Sequence, residues 1–217
     1  RASQDSLVAR RDPFRHSFVM VSLRELLSLE SPDLTAVASH LDALESSERV
    51  AEIRTLGRAH QARLFDAAKG WRPITLADLV PIRRDAMQEV VHEGKNSLPL
   101  FNHFAKAFVR PAPSDGKELW GYNRAGSFVE TVVGPGYFVA YPFEVEGEVL
   151  VDYLRVPPKR PEHWPPILPN SARLSRFVYN HTQDILRGVS AHVSIGRATK
   201  RGQPMSAWFV LCRQDPP

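Results

Sequence analysis

Apolar residues recur at helical spacing through the first third of the chain and at alternating spacing through much of the remainder. In "SPDLTAVASHLDAL", Leu34, Val37, Ala38, Leu41 and Leu44 share a helical stripe. Ser31 is the expected N-cap, with Pro32 at the first helical position and Asp33 in the first turn. "SSERVAEIRTLGRAHQARLFDAAKG" continues the theme as one helix capped by Ser46 or Ser47. Val50, Ile53, Gly57, His60 and Leu64 lie on one face, and Gly70 is the stop. "TLADL" carries Thr75 and Asp78 as a capping pair for a short helix.

The middle changes period. "QEVVHEGKNSLPLF" has a short β-prone run, then a turn-rich patch centred on "HEGKNS", then a proline. "FNHFAKAFVRP" fits both periods, since Phe101, Phe104 and Phe108 match a helix face and "KAFVR" a strand. From Glu118 the runs "ELWGYN", "SFVETVV", "YFVAYPF" and "VLVDYLRV", separated by turn residues, predict an antiparallel meander. Gly134-Pro135-Gly136 reads as a hairpin turn. Pro135 removes an N–H that a phosphate loop would need, and an aromatic strand pattern follows it instead of a helix.

Residues 157–170 are too rich in proline for regular structure. Trp164, Ile167 and Leu168 make them an ordered strap and not a free linker. "SARLSRFVYNHTQDILRG" favours a helix, on Leu174, Phe177, Val178, His181 and Ile185. "VSAHVSIGRA" then alternates, with Val189, Ala191, Val193 and Ile195 on one face. "TKRGQP" turns, and "MSAWFVLCR" returns as a covered strand. The predicted fold class is therefore α+β. N-terminal helices precede a curved antiparallel sheet or closed barrel of roughly six to eight strands. Residues 1–20 read as a loosely held arm and 21–217 as one domain, helical over about 21–80 and antiparallel over about 87–213. This plan resembles lipocalin-like and related closed barrels, which implies room for one small apolar ligand.

Composition narrows the function classes. The chain has 217 residues, 43 % of them hydrophobic, and a formal net charge of +4. A dedicated nucleic-acid binder carries a larger basic excess, so that partner is not expected. The single cysteine, Cys212, sits in an apolar run. It predicts a buried thiol, no internal disulfide, no cysteine metal site and a reducing, cytoplasmic setting. No apolar stretch has the length of a membrane span. The first residues lack a signal-peptide core, and the absence of an initiator Met fits a trimmed start. A homo-oligomer is compatible with all of this.

No HExxH, HxH or HxxxH spacing occurs among the histidines, so no metal is expected. No glycine-rich nucleotide fingerprint names a cofactor, and "AGSFV" lacks the second glycine of a serine elbow. The aromatic set on the meander is the stronger signal. Tyr122, Tyr137 and Tyr141 each combine an apolar body with one hydroxyl, as pocket walls do. His92 and Asn96 would add hydrogen-bonding groups at a rim. Arg110, Lys106 and Arg155 are the cations to meet an anionic head group, because a charge buried in a sheet needs a partner. The sequence thus predicts a body that binds a small, mostly apolar molecule, neutral or anionic, in a barrel-like pocket. One alternative is an enzyme using His92, Tyr122, Tyr137 or His192 for proton transfer, and the other is an interaction module using the helical part.

Overall fold

The structure, a computed structural model, describes residues 21–99, 102–124, 135–167 and 181–214. Among the described residues, five short helices precede eight antiparallel strands. The helices are α1 (Leu23–Ser28), α2 (Leu34–Ala43), α3 (Ser46–Arg54), α4 (Arg58–Ala67) and α5 (Leu76–Leu79). The strands are β1 (Val90–Asn96), β2 (His103–Val109), β3 (Leu119–Arg124), β4 (Tyr137–Pro142), β5 (Glu148–Asp152), β6 (Thr182–Gly188), β7 (Val193–Lys200) and β8 (Gln203–Arg213). Each strand pairs with the next, and β8 returns to β1 through pairs such as His92–Arg213 and Gly94–Leu211, closing the barrel. An α+β fold with an N-terminal helical part and a closed antiparallel barrel is what the pattern predicted.

Several elements differ in detail. Asp33, not Ser31, caps α2: its carboxylate accepts from the N–H groups of Thr35 and Ala36, and Ser31 and Pro32 precede the helix. The helix expected from Ser46 to Gly70 is two. It stops at Thr55 and restarts from Gly57, an N-cap without a side chain, and Leu56 at the break is fully buried. "HEGKNS" is not a turn but most of β1. Gly94 is there for packing, because a Cβ at this position would lie 2.9 Å from both Leu211 and Phe104.

"FNHFAKAFVRP" resolves to strand β2. Thr182–Gly188, expected at the end of a helix, is strand β6; residues 168–180 lie outside the described residues. β7 begins at Val193, because residues 189–192 form the turn before it, with Val189 and Ser190 N–H groups donating to the Val193 carbonyl. The expected strand "SFVETVV" and Gly134 lie outside the described residues, while Tyr137–Pro142 is a strand as expected.

Pleating decides which residues face inward. Val193, Ile195, Val210 and Cys212 pack against the helices and so define the outer face. Carrying that parity through the registers puts Ala105, Ala107, Tyr122, Tyr137 and Val139 outside as well. The interior then holds Val90, Phe108, Leu119, Phe138, Ala140, Val149, Val151, Leu186, Phe209 and Leu211. Its packing is close. The Phe138 ring occupies the space a Cβ on Gly121 would need, and the Phe209 ring does the same at Gly196.

Two unlike covers seal the outer face. α3 and α4 lie over β1, β7 and β8. On the other side the strap through Trp164 covers Ala107, Val109, Trp120, Tyr122, Tyr137 and Val139. α5 and its flanks cover one barrel end. There Arg72 bridges to Gly188, the Ile74 N–H donates to the Gly147 carbonyl, and Arg213 donates to the Asp78 carbonyl.

Candidate functional site

The most unusual group in the barrel interior is a lysine. On β2, Phe104, Lys106 and Phe108 alternate inward. Lys106 is cross-strand neighbour to His92 on β1 and to Asn123 on β3. Its side chain is 2 % exposed and that of Asp184, on β6, is 6 % exposed, with Nζ 3.2 Å from Oδ2. Nζ also donates to Asn123 Oδ1 at 2.9 Å and to the hydroxyl of Tyr153, which follows β5.

The remaining polar groups close the network. Asn123 Nδ2 donates to Tyr153 Oη at 3.0 Å. The Tyr153 hydroxyl lies 3.2 Å from Asp184 Oδ2 and 3.3 Å from Asn123 Oδ1, either of which accepts its proton. Around this polar knot stand aromatic rings. Nζ is 5.0 Å from the centroids of Phe138, Tyr153 and Phe209, and 5.8 Å from that of Phe104. Side chains from β2, β3, β4, β6 and β8, with Tyr153 after β5, thus converge on one ammonium.

Burial sets the electrostatics. It pushes the Lys106 amine below its usual range, with the Asp184 carboxylate opposing the shift. It pushes the Asp184 carboxyl above its usual range, opposed by Lys106 and by the hydrogen bond from Tyr153. Both shifts make proton passage between the two groups easier. The arrangement can hold a polar head group, and it can move a proton among an amine, a phenol and a carboxyl within hydrogen-bonding distance.

The residues expected from sequence go elsewhere. Tyr122 and Tyr137 do meet, with centroids 5.7 Å apart, but on the outer face beneath Trp164 and not in a pocket. Tyr137 donates to the Pro165 carbonyl. Tyr141 is also outside; it donates to Asp152 at 3.0 Å, and burial with that carboxylate raises its phenol above the usual range. Arg110 donates to the carbonyls of Pro81, Ile82 and Arg84, fixing the chain after α5. Arg155 pairs with Glu118 at 2.7 Å on the surface. Asn96 ends β1, and its Oδ1 accepts from the Leu98 N–H.

His92 does face inward. Nε2 donates to the Leu79 carbonyl at 2.9 Å, and burial lowers its pKa to about 4. It and His192 line a cavity of about 10 Å³ near α5, space for about one water. A wider cleft of about 420 Å³ is outside the barrel, lined by Pro111, Pro113, Ser114, Asp115, Glu118 and Trp120. Among the described residues no three His, Cys, Asp or Glu side chains gather as a metal site would require, and no helix is long and apolar enough to cross a membrane.

Of the interior network, only Lys106 was singled out from the sequence, as a cation to meet an anionic head group, because a charge buried in a sheet needs a partner. No protein-family model, curated protein or solved structure matches this chain.

Proposed function

We propose that this protein binds a small, mostly apolar molecule inside the barrel, with the molecule's polar end at Lys106. The observation that carries this reading is the Lys106 ammonium held in the interior amid the rings of Phe104, Phe138, Tyr153 and Phe209. Burying a lysine is unfavourable unless it is paired, and a packed apolar side chain at this position would fill the barrel without that penalty. A retained cation with an aromatic wall is the usual composition of a ligand site: mostly apolar, with a few convergent polar groups.

The ligand enters at the Phe104 end. Phe104 is only partly buried, in contrast to Phe108 four residues further along β2. Displacing its ring from Phe209, 6.0 Å away, opens the way to Lys106. The opposite end is held by α5, Arg213 and Arg110. The His92, Tyr122, Tyr137 and His192 set offers no common reaction centre, because the tyrosines and histidines lie on opposite faces of the barrel wall.

The test is a titration of the full chain with N-phenyl-1-naphthylamine, an uncharged apolar dye that fluoresces when desolvated. Saturable enhancement at one dye per chain is expected. Phe104→Trp, at the half-exposed mouth, should weaken binding about tenfold, or ~1.4 kcal/mol, with an unchanged melting temperature. No saturable enhancement, or an unchanged affinity in Phe104→Trp, overturns the reading.

A further inference from the structure

This inference rests on the reading that a small molecule enters the barrel. We infer that the polar end of that molecule is an uncharged carbonyl, and that an apolar aldehyde condenses reversibly with the Lys106 amine. Charge balance makes the first choice. Lys106 already has its counter-ion, Asp184, at 3.2 Å, and both side chains are buried. A carboxylate ligand would bring a second negative charge beside the buried Asp184, where like charges repel strongly. A carbonyl brings none.

The donors match a carbonyl as well. The Tyr153 hydroxyl sits beside Nζ and can donate to a carbonyl oxygen in exchange for its contact with Asp184 or Asn123, while Asn123 Nδ2 continues to donate to that hydroxyl. The carbonyl carbon then faces the lysine nitrogen, and the apolar body lies along Phe104, Phe138 and Phe209.

The proton inventory closes. Lys106 passes one proton from its ammonium to the Asp184 carboxylate, leaving a free amine; burial favours this on both partners. The Nζ lone pair attacks the carbonyl carbon, and the oxygen takes a proton from Tyr153. The nitrogen returns a proton to the phenolate, giving a neutral carbinolamine. Asp184 then protonates the carbinolamine hydroxyl, which leaves as water while the nitrogen lone pair forms the C=N bond. The product is a protonated imine beside the Asp184 carboxylate, restoring the original ion pair. No oxidant or reductant takes part.

The experiment incubates the full chain with cinnamaldehyde and sodium cyanoborohydride, then maps adducts by peptide mass spectrometry, alongside the dye titration above. The expected result is one reduced adduct at Lys106, formed well ahead of adducts at Lys69, Lys95, Lys117, Lys159 and Lys200. Tyr153→Phe keeps the amine and the ring, and should slow trapping at least about tenfold. Dye binding with adducts only on the other lysines overturns the aldehyde inference and leaves the binding reading standing. An adduct at Lys106 whose rate is unaffected by Tyr153→Phe overturns the proton relay. Loss of both dye binding and the Lys106 adduct overturns both.

Discussion

His92 shows how a single side chain makes the fold pH-dependent. A carbonyl can only accept, so the 2.9 Å contact with Leu79 fixes a proton on Nε2. Burial is the larger cause of its low pKa, and the Arg213 guanidinium adds to it; the Leu79 contact opposes them. Arg72 and Asp78 line the same small cavity, as do His192 and Ser194. A folded pKa of about 4, below the unfolded value of about 6.5, favours the neutral form in the folded state. The contribution is complete above pH ~6.5 and is lost as pH falls from there towards 4, amounting to roughly 3 kcal/mol. Urea unfolding at several pH values should show this slope in the wild type and a flatter one in His92→Gln. Equal slopes would mean that the ring is not held neutral. His92 was legible as a candidate, but its role was not. Lys106 was legible for a firmer reason, since a charge buried in a sheet must find a partner. The partner, Asp184, is 78 residues away, and no local pattern reports a cross-barrel register.

Among the elements, the helix–strand division was legible wherever one face was uniformly apolar. It was obscured where the interior is polar. β6 turns Thr182, Asp184, Leu186 and Gly188 inward, so its alternation carries no hydrophobic signal and its apolar residues fit a helix equally well. The α3–α4 break was hidden for a related reason: Ile53, Gly57, His60 and Leu64 keep helical spacing across it. The turn between β7 and β8 was overestimated, because Arg201 and Gly202, with φ of 52° and 72°, complete it in two residues. The α3–α4 junction makes a constructive prediction. Gly57 has extended backbone, φ −80° and ψ 175°, which serine adopts readily. An added Cβ meets nothing closer than His60 Nδ1 at 3.8 Å. Gly57→Ser supplies the missing N-cap oxygen and stiffens the unfolded chain, and should stabilise by about 0.5–1 kcal/mol. Differential scanning calorimetry should read this as a melting-temperature rise of roughly 2 °C. A fall would show that the break needs glycine for a reason other than its cap.

At the scale of the whole molecule, a closed barrel has no free edge, and its stability depends on how its outer face is kept dry. The helical cover is locked by polar joints: Arg187 reaches from β6 to the Glu148 carboxylate at 2.6 Å and to the Phe65 carbonyl at 2.8 Å, and Arg54 meets Glu93 at 2.8 Å. Among its described residues the strap has no regular structure, and Trp164 is its largest buried side chain. Trp164 is 2 % exposed, its ring is 4.7 Å from that of Tyr122, and Nε1 donates to the Glu89 carboxylate. Arg160 gathers the carbonyls of Pro161, Glu162 and Trp164 and so gives the anchor its shape. Trp164→Ala removes the ring and leaves the Glu89 carboxylate without that donor. The expected loss is about 3–5 kcal/mol. Because every strand is paired on both sides, the loss should spread around the barrel. Amide exchange should show a similar drop in protection free energy in β3 and β4 under the strap and in β7 and β8 under the helices. A drop confined to residues 157–167 and the strands beneath would mean that the strap is a detachable cover, and that closure of the barrel does not depend on it.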